Sequence, residues 1–313
     1  MILGRGMDVE EVKTSFRLVA DRFTSFGDKS DCAADCARHT VQDCWLALHF
    51  ANKLGWINLS DKIKPDMDLH DFGLLDVDAY AHYAEASNGG IITVVPQKIV
   101  FFPSPVDLPG NTEWMDSADG NTRHFSPAFY ADLLVTEFNV STVMCVDRGE
   151  SSWKAFADQG IVMEDMRLDD SVSDLLRALD RLLAVTQGGP GAVALHCRPD
   201  SGAAMGRAGA LIAAYLARRA GFPPDAAIAW VRMVHPRLLL PAHLPPSLLP
   251  PSLLDSMRGT TTLRRSESLS GGPPTQPARD EEEGIEGGAG SMRRSVSWPL
   301  LPVAAFSLLD VSD

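Results

Sequence analysis

Two hydrophobic rhythms divide the chain. Residues 9–23 and 40–54 carry apolar side chains at helical spacing, the second with Trp45, Leu46, Leu48, Phe50 and Leu54, so the first 65 residues are expected to be helical. Helices of this length bury too little surface to stand alone and are expected to pack on the region C-terminal to them. From about residue 66, strand and helix patterns alternate. Residues 91–95 and 98–102 read as a strand pair split by Pro96 and Gln97, 140–146 as a β-branched strand, 161–168 as another, and 191–196 as a fully buried one. Between them, 127–138 and 171–185 read as helices, and 208–219 and 223–234 come after them as two more. This alternation predicts an α/β fold with a mainly parallel central sheet flanked by helices. Between Pro241 and Pro251 the chain turns proline-rich, and from about 259 it has no period. Gly271, Gly272, Pro273 and Pro274, then Asp280 to Glu283, are solvating stretches. A disordered tail is expected.

Charge and cysteine usage narrow the class. A formal net charge of −13 argues against nucleic acid as the main partner, because nothing would neutralise its phosphates. Five cysteines are few and odd in number, which suits reduced thiols in the cytoplasm or nucleus better than a disulfide framework. No signal peptide is evident at the N-terminus and no apolar run reaches ~18 residues, so no membrane is expected as a partner. Cys32, Cys36, His39 and Cys44 have a spacing that suits no common zinc site, and Cys32 and Cys36 lie one helical turn apart. A packed helix face is the reading there, with no metal.

The chemistry concentrates after the strand 191–196. That strand hands Cys197 to a Gly-rich stretch ending at Arg207, and a helix comes next. Loop amides and a helix N-terminus beside a thiol favour its thiolate, commonly bringing its pKa to ~3.5–7.5. The same amides would hold a phosphate, and Arg207 adds a planar two-pronged donor. This is the layout of a cysteine-dependent phosphatase. For a lone cysteine the bland alternative is a packed core residue.

Three segments carry a resemblance. Residues 76–83, with Asp76, Tyr80, His82 and Tyr83, form an acidic-aromatic stretch. Residues 192–196 are followed by 206–216, and 227–232 by His235 and Pro236. In this order and spacing, residues from about 66 to 237 resemble the mitotic-exit dual-specificity phosphatases, the Cdc-fourteen family of the protein tyrosine phosphatase superfamily. The resemblance implies a cysteine-phosphatase fold in three parts. These are a helical remnant of the family's first domain (1–65), a phosphatase-like domain (66–245) and a Pro/Gly/Ser-rich tail (246–313), the chain being divergent and shortened at its N-terminus. It also implies roles. Cys197 attacks phosphorus and forms a cysteinyl-phosphate. The amides of Ala203, Ala204, Met205, Gly206 and Arg207, with the Arg207 guanidinium, hold the equatorial oxygens. Asp170, with Asp169 close behind, protonates the leaving alcohol, and His196 orders the loop. No cofactor or metal is implied. The partner is a phosphoprotein carrying Ser, Thr or Tyr phosphate.

The chain departs from the family at the loop itself. The family separates its cysteine and arginine by five residues; here nine lie between Cys197 and Arg207. Lifting out Pro199, Asp200, Ser201 and Gly202 restores the family pattern, so either these four loop outward from a normal cradle or the gene has been misread. Four residues can displace the thiolate by several ångströms, at ~3.3 Å per extended residue, and ~1 Å can cost ~10²-fold. Ala208 replaces the family's hydroxyl residue after the arginine, and the paired glutamines beyond the last helix have no counterpart. Two functions stay open: a phosphoprotein phosphatase, or an inactive pseudophosphatase that holds phosphoproteins as a binding or scaffold module. In the tail, Arg294, Ser295, Ser297 and Pro299 resemble a basophilic-kinase site read by phosphoserine-binding adaptors, with Ser268 after Arg265 a weaker echo.

Overall fold

The structure, a computed structural model, describes residues 7–23, 40–57, 74–110, 112–120, 122–147, 153–169 and 171–238. The element order opens with helix α1 (Val9–Ser15), a 3-10 turn (Arg17–Arg22) and α2 (Val41–Lys53). Then come α3 (Val77–Ala84), the strands β1 (Ile92–Val95) and β2 (Ile99–Pro103), and a hairpin of β3 (Trp114–Asp116) and β4 (Arg123–Phe125). The remainder is α4 (Pro127–Thr136), β5 (Val140–Cys145), α5 (Trp153–Asp158), β6 (Val162–Asp165), α6 (Val172–Gly188), β7 (Ala192–Cys197), α7 (Gly202–Arg219) and α8 (Pro224–Val234).

Among the described residues the main sheet runs β1-β2-β7-β5-β6, with β2, β7, β5 and β6 parallel and β1 antiparallel at one edge. The α/β class with a mainly parallel sheet, expected from the alternating pattern, is what the chain adopts. β7 is central and buried at every position, which is why its residues, His196 apart, are apolar without alternation. Its side chains still alternate between two layers. Val193, Leu195 and Cys197 join the core under α2, α6, α7 and α8, whereas Ala192 and Ala194 join the core with Tyr130 and Leu134 of α4 and Phe156 of α5. The period of two therefore sends the Cys197 thiol into the helical layer above the strand end.

The N-terminal segment is part of that layer. Ala47, Ala51, Leu54 and Trp56 are buried in the same core as α7 and α8. Trp56 stacks on Phe222 with ring centroids 5.4 Å apart and meets Trp230 at 5.3 Å. The expected packing of α2 on the later helices is present in these contacts.

The largest difference from the sequence reading is the start of α7. The pattern predicts a loop up to Arg207 and a helix from 208; the helix instead begins at Gly202. Two local causes suffice. Ala203, Ala204 and Met205 are strong helix formers. Ser201 caps them, its Oγ accepting the Ala204 N–H at 3.3 Å while its carbonyl accepts the Met205 N–H at 3.0 Å. Between strand and helix lies a short turn, closed by Ser201 N–H to the Arg198 carbonyl at 3.1 Å. The Arg237 guanidinium pins its outer edge, donating to the Pro199 carbonyl at 2.9 Å. Pro199 to Ser201 thus form the turn and its cap, and Gly202 opens the helix.

Candidate functional site

The parallel strands end together where α7 begins, so the residues after β5, β6 and β7 meet there. His196 is fully buried on the face opposite Cys197. Its Nδ1 lies 3.0 Å from the Ser104 hydroxyl and its ring packs on Phe102 with centroids 5.2 Å apart. Among the described residues Nε2 has no hydrogen-bond partner. Burial pushes its pKa down to about 4, against a smaller opposing pull from Asp147. His235, beside Phe101, is likewise pushed down to about 4 by burial and by Arg237.

These shifts have a stability sign. Each imidazole binds its proton more weakly in the folded chain than at the ordinary 6.5, so the unfolded state holds more protons between about pH 6.5 and 4. Stability is complete above 6.5 and falls as pH drops through that window. His196 alone should contribute about 1.4 kcal/mol per pH unit there. Urea unfolding of the parent and of His196→Asn across this range should give a shallower slope for the variant; parallel slopes would refute the assignment.

Cys197 is buried, and its Sγ lies 3.5 Å from the Met205 sulfur. Its pKa is raised far above the ordinary thiol range, chiefly by burial, with Asp147 and then Cys145 adding to the shift and Arg207 and Arg198 opposing it. Burial and the nearby carboxylate thus disfavour the thiolate, where the sequence pattern predicts a depressed pKa. The reason lies in the extended helix. From Met205 onward the amides are bonded inside α7, so the Met205, Gly206 and Arg207 N–H groups point along the helix. Ala204 is taken by the Ser201 cap. Of the amides expected to cradle phosphate, Ala203 remains outside the i→i−4 ladder, together with Gly202 at the helix start.

Cys197 and Arg207 line different cavities. One, about 200 Å³, is walled by Arg167, Arg198 and Arg207 with Asp147, Asp169 and Ser201. The other, about 450 Å³, takes in Cys197 and Met205 with Tyr80, Phe101, His235 and Arg237. In the smaller cavity Arg167 pairs with Asp165 and has left-handed backbone geometry, φ 40°, unusual for a residue with a side chain. Asp147, on the turn after β5, accepts the Arg198 N–H at 3.1 Å and its Nε at 3.3 Å through one carboxylate oxygen. Sequence reasoning missed Asp147, Arg167, Arg198 and Ser201. The strand-end rule for parallel sheets was the available signal for Asp147.

Asp170, Ser268 and Ser297, and the potential ligands Cys32, Cys36 and His39, lie outside the described residues. Among the described residues, Cys44, Cys145 and Cys197 form no disulfide. Among the described residues there is no cluster of His, Cys, Asp or Glu fit to hold a metal, and no helix long and apolar enough to cross a membrane.

Known proteins share this sequence pattern. The human dual specificity protein phosphatase CDC14C is 27% identical over 201 residues, covering 64% of this chain and 39% of that protein. The chain is similar to the Cdc14 dual-specificity phosphatases. Human CDC14A is 29% identical over 166 residues, 53% of this chain and 26% of that protein. The tyrosine-protein phosphatase cdc-14 of Caenorhabditis elegans is 24% identical over 216 residues, 69% of this chain and 27% of that protein. The chain thus spans well under half the length of these curated Cdc14 relatives. No protein-family model matches it. Among solved structures, PTPMT1 covers 54% of this chain and 96% of that one, at 14% identity and a TM-score of 0.39.

Proposed function

We propose that this Cdc14 relative is a phosphoprotein-binding module whose cysteine chemistry is switched off, acting in the cytoplasm or nucleus. One observation carries the reading: Cys197 and Arg207 face separate cavities, with α7 occupying the path a phosphate-binding loop would take. Nucleophilic attack needs the sulfur ~3–3.5 Å from phosphorus while the arginine holds its oxygens. A protonated thiol packed against Met205 meets neither demand.

What remains suits anion recognition. Three arginines and Ser201, the cap of an 18-residue helix, line the smaller cavity, and arginine forks match phosphate geometry. A covalent phosphoenzyme is not part of this reading; the phosphorylated side chain of a partner protein enters, is held, and leaves unchanged.

Titration with a fluorescent phosphoserine peptide and its unphosphorylated twin tests the binding half. The phosphopeptide should bind at least tenfold more tightly, and Arg207→Met should abolish most of that preference, because a charged hydrogen bond contributes about 1.5–3 kcal/mol. Equal affinity for the two peptides would sink the proposal.

A further inference from the structure

The smaller cavity already contains an anion supplied by the chain itself. The Asp147 side chain is only 4% exposed, and it sits where β5 ends beside β7. One carboxylate oxygen takes the Arg198 N–H, the first amide after Cys197, and the Arg198 guanidinium as well. Behind it, the Cys145 thiol donates to the Asp147 carbonyl at 2.8 Å and stands 3.8 Å from the second carboxylate oxygen. The carboxylate is therefore anchored to the turn and cannot swing away without breaking several contacts. The first amide and the nearest guanidinium are the donors that a phosphate entering between Arg198 and Arg207 would need.

We propose that Asp147 is a built-in competitor for phosphate, and that it determines the affinity of the cavity lined by Arg167, Arg198 and Arg207. The proposal rests on the reading of that cavity as a phosphoanion site and adds what limits it. An incoming phosphate meets a like charge that already holds Arg198. It must either share that guanidinium or displace the carboxylate from it. Both routes weaken binding. The same carboxylate is, after burial, the largest influence keeping Cys197 protonated, so one residue opposes both an anionic ligand and an anionic thiol. Asp169, the other carboxylate of the cavity, is exposed on the turn after β6 and screened by water, so its effect should be small.

Inorganic phosphate binding to the full chain, measured by calorimetry, separates these roles. Asp147→Asn keeps the size of the side chain and an oxygen to accept the Arg198 N–H. It should bind phosphate at least about tenfold more tightly than the parent. Asp169→Asn should change affinity by less than about threefold. A general loosening of the fold would weaken binding, so a gain cannot come from structural damage. If Asp147→Asn does not fold, Asp147→Ser is measured against the same threshold. Unchanged or weaker binding in the folded Asp147 variant, or an equal gain from Asp169→Asn, overturns the proposal and leaves the phosphoanion reading standing. No phosphate binding in any of the proteins overturns both.

Discussion

Deleting Pro199 to Gly202 should create Cys197-dependent hydrolysis of a small aryl phosphate where the parent has none. The deletion removes the Ser201 cap and the first helical residue, which together commit Ala203–Arg207 to α7. With five residues left between sulfur and arginine, the chain is too short to turn and then start a helix before Arg207. The amides of Ala203 to Gly206 would be drawn off the helix axis toward the strand end. Alignment of nucleophile and oxyanion donors at ångström precision is worth at least ~10²-fold in rate. The gain should vanish when Cys197→Ser is added. A shortened protein that folds and stays silent would mean that more than the insertion disables the site. Asp147, Ala208 and the buried thiol would then be the places to look.

The second large effect concerns the core that carries the site. Trp230 is 3% exposed; its indole donates to the Val94 carbonyl at 2.9 Å, and its ring lies against Trp56 and Phe222. It joins three parts of the chain: the edge strand β1, the segment after α2, and α8. Trp230→Ala should cost about 3–5 kcal/mol in denaturant unfolding, the range for large aromatic truncations. Trp230→Phe keeps most of the packing and loses the indole N–H bond, so about 1–3 kcal/mol is expected. A loss below about 1 kcal/mol for the alanine variant would show that the N-terminal helices do not share one cooperative core with α8.

Legibility in the sequence varied with the physics of each element. Buried strands were legible because short, mostly apolar runs such as Val140–Cys145 and Ala192–Cys197 have few other uses, and turn residues bound them. The hairpin of Trp114–Asp116 and Arg123–Phe125 was not. Its first strand is exposed at every position, and it is held by Arg123 stacking 3.8 Å from the Trp114 ring centroid and by its bond to Asp116. Such contacts leave no hydrophobic period to read. α5, at six residues, is too short to show one.

At the site, Cys197 and Arg207 could be singled out, but where they point could not. That depended on Ala203, Ala204 and Met205, whose helix preference competes with the loop that the Cdc14 resemblance implies. Local propensity won because the four additional residues supply both a cap and enough slack to begin a helix early. Asp147 escaped notice for another reason. An aspartate after a strand is ordinary in sequence, and only the parallel pairing of β5 with β7 brings it to Arg198, 51 positions away.

The most direct test is phosphate release from an aryl phosphate by the parent beside Cys197→Ser under identical conditions. The same background rate is expected for both, because burial and Asp147 disfavour the Cys197 thiolate and Cys197 lines a cavity that Arg207 does not. Turnover by the parent that disappears in Cys197→Ser would contradict a switched-off cysteine and establish a working phosphatase.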